Sequence, residues 1–147
     1  MRLFKTLILI AALALVVSTA AWTATAAGTT VKVEKTKIGK LIANSKGLTL
    51  YMFRADKGPK SACYGACATF WPPLTTVGKP VAGPGVKASL LGTAKRKDGK
   101  LQVTYKGHLL YTFAEDKKAG DTKGEASKAF GADWYALTPT GVVIDTG

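Results

Sequence analysis

Leu50-Tyr51-Met52-Phe53-Arg54-Ala55-Asp56-Lys57 returns sixty residues later as Leu110-Tyr111-Thr112-Phe113-Ala114-Glu115-Asp116-Lys117. The correspondence extends upstream without a gap. Gly39-Lys40-Leu41 matches Gly99-Lys100-Leu101, and Lys46-Gly47 matches Lys106-Gly107, so ten of the nineteen aligned positions are identical. One unbroken offset of this kind means one supersecondary unit used twice. Each unit is too small to bury its own apolar face, so the two are expected to close a shared core.

Within the second copy Leu101, Val103 and Tyr105 alternate on one face, Lys106-Gly107 supplies a two-residue turn, and residues 108–113 return. This is a β-hairpin pattern, with glycine accepting positive φ in the turn. In the first copy residues 41–43 and 48–53 flank Asn44-Ser45-Lys46-Gly47 in the same way. On the return strands Tyr51 and Phe53 face one side and Leu48, Leu50 and Met52 the other, with Tyr111 and Phe113 likewise opposed to Leu110. Strands that are apolar on both faces belong in the middle of a sheet or sandwich.

Residues 31–38 alternate weakly and are rich in lysine, as expected of an edge strand. Residues 62–70 and 125–130 each suit a short helix, and each leads to a Trp with a Leu three residues on: Trp71 with Leu74, Trp134 with Leu137. Residues 134–138 and 142–144, around Pro139-Thr140-Gly141, read as a closing hairpin, and residues 89–93 as a further strand. Glycine and proline crowd residues 77–85, which are expected to link the repeats, approximately 31–76 and 86–147. The predicted architecture is mainly β: one domain of two pseudo-symmetric hairpin-containing repeats, sandwich- or barrel-like, with short helices in loops.

Residues 1–26 read as an export signal rather than part of the fold. Arg2 and Lys5 precede an apolar run over residues 6–17, and Ala24-Thr25-Ala26 supplies a small-x-small cleavage site. The run is short of the ~20 residues a spanning helix needs, so no transmembrane segment is expected in the mature protein. Cleavage after Ala26 leaves residues 27–147, enough for a single β domain with a modest core. The mature chain keeps 19 basic residues against nine acidic ones, a net charge of +10. Such a charge favours anionic surfaces. For an exported protein these are an anionic envelope polymer or lipid headgroups, and nucleic acid is not expected as a partner.

Several residues carry potential chemistry. Cys63 and Cys67, the only cysteines, pair by default in an oxidising compartment, where so small a loop contributes roughly 2 kcal/mol. A redox-active pair and a metal site remain as alternatives, although the spacing is one wider than C-x-x-C. His108 is the only histidine, which excludes most catalytic triads and histidine-rich metal centres. No nucleotide-binding or hydrolase fingerprint occurs, and no cofactor is expected. Asp56 and Asp116 follow their strands at equal spacing and suit turn closure by accepting backbone N–H bonds. Brought together by a pseudo-twofold axis, they would form an acid/base pair or bind a cation. Tyr51, Phe53, Tyr111, Phe113, Trp71 and Trp134 are core residues first, with an aromatic-lined ligand groove as the alternative.

Taken with residues 61–74, Asp98 to Gly107 and the closing Trp134-Tyr135, the repeated Leu-Tyr-x-Phe-x-x-Asp block resembles a bacterial family of secreted repeat proteins, predicted lipoproteins with a Y-x-[FWY]-x-x-D motif. The resemblance implies an extracytoplasmic repeat β domain and assigns no activity. Lipoprotein members carry a cysteine at the cleavage point, whereas no cysteine here precedes Cys63, so release as a soluble periplasmic or extracellular product is expected. The functional expectation is an exported, non-enzymatic binding or structural module of the cell envelope. An enzyme using Asp56 and Asp116, and a redox or metal-handling protein using Cys63 and Cys67, are the alternatives.

Intact-mass measurement of the secreted product is expected to show a chain beginning at Ala27 or Gly28. Retention of the leader, or a lipid adduct, would contradict the cleavage reading.

Overall fold

A computed structural model describes residues 20–21 and 27–147; the expected signal segment otherwise lies outside the described residues. Among the described residues nine strands follow in chain order: β1 (Thr30–Thr36), β2 (Gly39–Asn44), β3 (Tyr51–Phe53), β4 (Thr75–Thr76), β5 (Val81–Ala82), β6 (Leu91–Lys95), β7 (Leu101–Tyr105), β8 (His108–Leu109) and β9 (Trp134–Ala136). One short helix, α1 (Ala66–Phe70), lies between β3 and β4, and two 3₁₀ turns occupy Ala88–Leu90 and Ala129–Gly131. The fold is mainly β, as the alternation in the sequence requires, and its sheets are open. The barrel alternative is thereby corrected: β2-β1-β5, β3-β9 and β4-β7-β6 form separate sheets, with β8 paired to β7.

Each repeat begins with the same device. β1 pairs antiparallel with β2 and β6 with β7, so the matched segments 39–44 and 101–105 are each the second strand of a hairpin. The next turns differ. In the second copy Tyr105 faces His108 across Lys106 and Gly107, whose φ values of 48° and 81° define the mirror-image turn that fits strand twist. In the first copy Asn44 N–H donates to the Leu48 carbonyl across three residues, and Asn44 Oδ1 accepts from the N–H groups of Lys46 and Leu48. The extra loop residue shifts the register by one: Leu50 N–H reaches Ile42, whereas Leu110 N–H reaches Val103, the counterpart of Ala43. Asn44 holds this wider loop through an Asx turn, which Thr104 at the equivalent position cannot make.

The motif strands run through the centre of the molecule. Tyr51 and Tyr111 exchange both backbone hydrogen bonds, N to O distances 2.8 and 3.0 Å, and so mark a pseudo-twofold axis. The flanking positions carry an exchange between repeats. β3 pairs with β9, setting Tyr51 opposite Ala136 and Phe53 opposite Trp134, while Thr112 and Ala114 N–H donate to the carbonyls of Pro72 and Phe70. Each motif strand therefore takes as partner the Trp-bearing segment of the other repeat, not of its own.

The alternation read from the sequence sorts the core into two clusters. Tyr51, Phe53, Leu109, Tyr111, Trp71 and Trp134 pack on one side, and Leu50, Met52, Leu110, Ile42, Val103 and Leu137 on the other. Other expectations change. Residues 77–85 contain β5, which adds to β1 in parallel at Thr30 and Val31 and so covers the start of the edge expected of residues 31–38. The helix expected over 125–130 is instead a set of turns, because Ala126 and Phe130 adopt left-handed φ values of 58° and 61°. Residues 134–144 close as anticipated, with Leu137 bridged to Val143 around a turn in which Gly141 N–H donates to Thr138.

Lys106 holds a left-handed conformation that costs a side-chain-bearing residue roughly 1 kcal/mol, and asparagine tolerates it better. Lys106→Asn is expected to raise the urea midpoint by an amount equivalent to about 0.5–1 kcal/mol. A lowered midpoint would show that the Lys106 side-chain contact with Gly141 outweighs the turn.

Candidate functional site

The motif residues converge where the repeats meet. A tyrosine hydroxyl taken out of water needs a partner, and each of these two finds it in the other repeat. Tyr51 Oη donates to Asp116 Oδ2 at 2.7 Å, and Tyr111 Oη donates to Asp56 Oδ2 at 2.9 Å. The remaining carboxylate oxygens close the loops that follow: Asp56 Oδ1 accepts from Ala62 N–H and Asp116 Oδ1 from Lys123 N–H. The Asp N–H in each copy donates back to the motif Phe carbonyl three residues earlier, at 3.1 Å in both. The five-residue spacing from Tyr to Asp thus places a strand residue and the closing residue of a tight turn.

Four rings stack in series beneath these pairs. Phe113 lies on Trp71 at 4.2 Å between centroids, Trp71 on Trp134 at 3.9 Å, and Trp134 on Phe53 at 4.0 Å. Tyr51 and Tyr111 meet Trp71 and Trp134 edge-on at 5.4 and 5.2 Å. Both arrangements suit the ring quadrupole, each pair contributing roughly 0.5–1.5 kcal/mol beyond burial. Trp71, Trp134, Tyr51 and Tyr111 are fully buried, so the motif aromatics form a core and leave no open groove between them. Gly124 sits against this stack: a Cβ there would stand 2.8 Å from Trp71 and 2.9 Å from Tyr51.

Burial dominates the titration of the four paired groups. It pushes the Asp56 and Asp116 carboxyls above their ordinary 3.8, with the tyrosine and backbone donors opposing that rise. Burial first, then the neighbouring carboxylate, lifts the Tyr51 phenol far above its usual range, and burial does the same for Tyr111. The two carboxylates occupy separate turns and are held by different tyrosines.

Asp56 also borders a cleft with Arg54, Lys106 and His108, in which Asp116 takes no part. Burial and the nearby cations Lys106 and Arg54 lower the His108 pKa, favouring the neutral ring. Cys63 and Cys67 form a disulfide with a Cα separation of 5.2 Å at the start of α1, both residues buried. Among the described residues no group of three or more His, Cys, Asp or Glu is placed to hold a metal ion, and no helix is long and apolar enough to cross a membrane.

Arg96 stands in a basic run, Lys95-Arg96-Lys97, yet it is only 5% exposed. Its Nη1 donates to Gln102 Oε1 at 2.8 Å and Ser61 Oγ at 3.1 Å, and Nη2 to the Cys63 carbonyl at 2.9 Å. Ser61 Oγ lies 2.8 Å from Tyr111 Oη, so the guanidinium is joined to the motif through one hydroxyl. A basic run reads as solvated, and the only cue to burial is the choice of Arg, whose planar fork suits several fixed acceptors.

The family of secreted repeats of unknown function matches residues 32–75 and 92–138, one match to each copy, and the chain belongs to it. The disulfide accords with an extracytoplasmic location. No curated protein and no solved structure matches the chain.

Asp116→Asn and Asp56→Asn are expected to differ. Tyr51 Oη already accepts from Gly124 N–H and must donate, while Asn at 116 offers a single acceptor oxygen for both Tyr51 Oη and Lys123 N–H, so the first variant strands one of these two donors at a cost of about 1–3 kcal/mol. At Asp56 the competing backbone donor, Ala62 N–H, is exposed and can turn to water, so the Asn oxygen stays with Tyr111 and Asp56→Asn is expected to cost less. Chemical denaturation of both variants checks the order, which equal losses would contradict.

The raised carboxyl pKa values also set a pH dependence. Their contribution to stability is present in full below about pH 3.8 and is lost as pH rises through the raised folded-state values. The stability gap between wild type and the double Asn variant should therefore narrow as the pH rises through that range. A gap that widens instead would contradict the sign.

Proposed function

We propose that the protein is an exported, non-enzymatic binding module of the bacterial cell envelope. The observation that carries this reading is that the chemistry repeated in the two copies is spent internally: both motif carboxylates are engaged by a buried tyrosine and a backbone N–H. A carboxylate so engaged closes a turn and crosslinks two repeats, and is poorly placed to exchange protons with a substrate. What the surface offers instead is positive charge on a disulfide-pinned frame, which supports an anionic envelope polymer as the partner rather than a small neutral ligand. The motif positions Tyr51, Phe53, Asp56, Tyr111, Phe113 and Asp116 are then scaffold, and recognition lies outside them.

The cleft bordered by Asp56 and His108 favours a second reading, a hydrolytic or acid/base site in which neutral His108 is the base. The two readings part on one experiment. Retention on an immobilised anionic envelope polymer is expected at low salt and is expected to fall sharply at ~0.5 M, where the Debye length is about 4 Å. His108→Ala should leave retention unchanged. Salt-insensitive binding that disappears with His108→Ala would reject the electrostatic module in favour of the cleft.

A further inference from the structure

Lys60, Ser61, Tyr64, Lys95, Arg96 and Lys97 line a depression of about 480 Å³. They come from three places: the loop after β3, the disulfide loop, and the end of β6 with the turn that follows. No carboxylate lines it, while four cationic side chains do. Arg96 forms the floor. Its ring-like guanidinium lies 4.3 Å over the face of Tyr64, and its Nη atoms are fixed by Gln102, Ser61 and Cys63. Nε is buried with no hydrogen-bond partner; the nearest carboxylate, Asp98 Oδ2, stands 3.6 Å away on a side chain 43% exposed. A buried guanidinium with an unused N–H is costly unless an anion completes it. Lys97 adds to the same wall: its backbone N–H donates to Tyr64 Oη at 3.1 Å and its ammonium lies 5.7 Å from the ring centre.

We propose that this depression is an anion-binding site that takes the phosphate groups of an envelope polymer, a reading that rests on the binding-module assignment above. Arg96 holds a fixed positive charge beneath the depression, its buried Nε facing the exposed Asp98 carboxylate at 3.6 Å and open to a phosphate oxygen once that side chain turns away, and Lys60, Lys95 and Lys97 neutralise the charge at the rim. Asp98 is the internal competitor for Nε. A polymer fits better than a membrane surface because none of the large exposed apolar side chains, Phe70, Val77, Val81, Phe130 and Val142, lines the depression. Peripheral membrane binding draws much of its strength from such insertions.

The test titrates the secreted protein with inorganic phosphate, with soluble polyphosphate and with anionic phospholipid vesicles, following backbone amide shifts and affinity. Polyphosphate is expected to shift the amides of Tyr64 and of residues 95–98. Lys60, Lys95 and Lys97 replaced together by Ala should weaken it by about tenfold or more, with Arg96 kept so that the interior is undisturbed. Lys35, Lys37 and Lys40 replaced by Ala, an equal loss of charge on the exposed β1–β2 hairpin, should change it by about twofold or less. Asp98→Asn should strengthen binding. Equal weakening by the two triple variants would overturn the site in favour of a diffuse field, and tighter binding to vesicles than to polyphosphate would overturn the polymer assignment. Polymer retention that survives the Lys60, Lys95 and Lys97 changes would sink the site while leaving the binding module standing. Saturable phosphate binding at residues 95–98 without polymer retention would do the reverse.

Discussion

Two tyrosines, sixty residues apart, share a pair of backbone hydrogen bonds at the centre of the molecule and send their hydroxyls in opposite directions into the turns of each other's repeat. Neither half can satisfy this arrangement alone. A buried phenol without an acceptor costs about 1–3 kcal/mol, and here the acceptor is always foreign to the repeat that carries the phenol. The tryptophans follow the same logic: each pairs with the other repeat's motif strand and then stacks on its counterpart at 3.9 Å. The Y-x-F-x-x-D motif is thus an interlock. Its Tyr and Asp are joined across the duplication, and its Phe ends the ring stack.

What the sequence could and could not disclose follows from this exchange. Periodicity reports which face a side chain occupies, so the separation of Tyr51 and Phe53 from Leu50 and Met52 was legible, as was the turn at Lys106-Gly107. Periodicity carries no distances between segments, so the pairing of residues 134–136 with 51–53 instead of 111–113 was not. The wider first loop was legible in retrospect from Asn44, whose side chain holds it, against Thr104 in the second copy. The failed helix at 125–130 turns on the left-handed φ values of Ala126 and Phe130, which no propensity would assign to those residues. The burial of Arg96 was not legible in its basic run, because it depends on Gln102 and Tyr64, brought to it by the fold.

A division of labour emerges between the inside and the outside of this secreted repeat. The first copy has Ile42 where the second has Gln102, and that single polar replacement receives Arg96 and also donates to the Leu110 carbonyl. The duplication has therefore kept its interlock symmetric and let one flank become polar. The disulfide sits on that flank alone, fixing the Cys63 carbonyl that accepts from Arg96. Asymmetry of this kind is confined to one side of an otherwise twofold core.

Because Tyr51 and Tyr111 are each other's backbone partners and each Trp-bearing segment pairs with the other repeat's motif strand, the order in which the chain becomes available matters. β3 has no lateral partner until residues 111 and 134–136 have arrived, and closing spans of 60 to 85 residues is slow relative to local hairpin formation. A chain leaving the cell N-terminus first would emerge with its β1–β2 hairpin able to form and its aromatic centre still open. The aromatic centre closes only when residues 134–136, the last partners of β3, are present, so duplication with exchanged partners ties the interior to the C-terminal end of the chain.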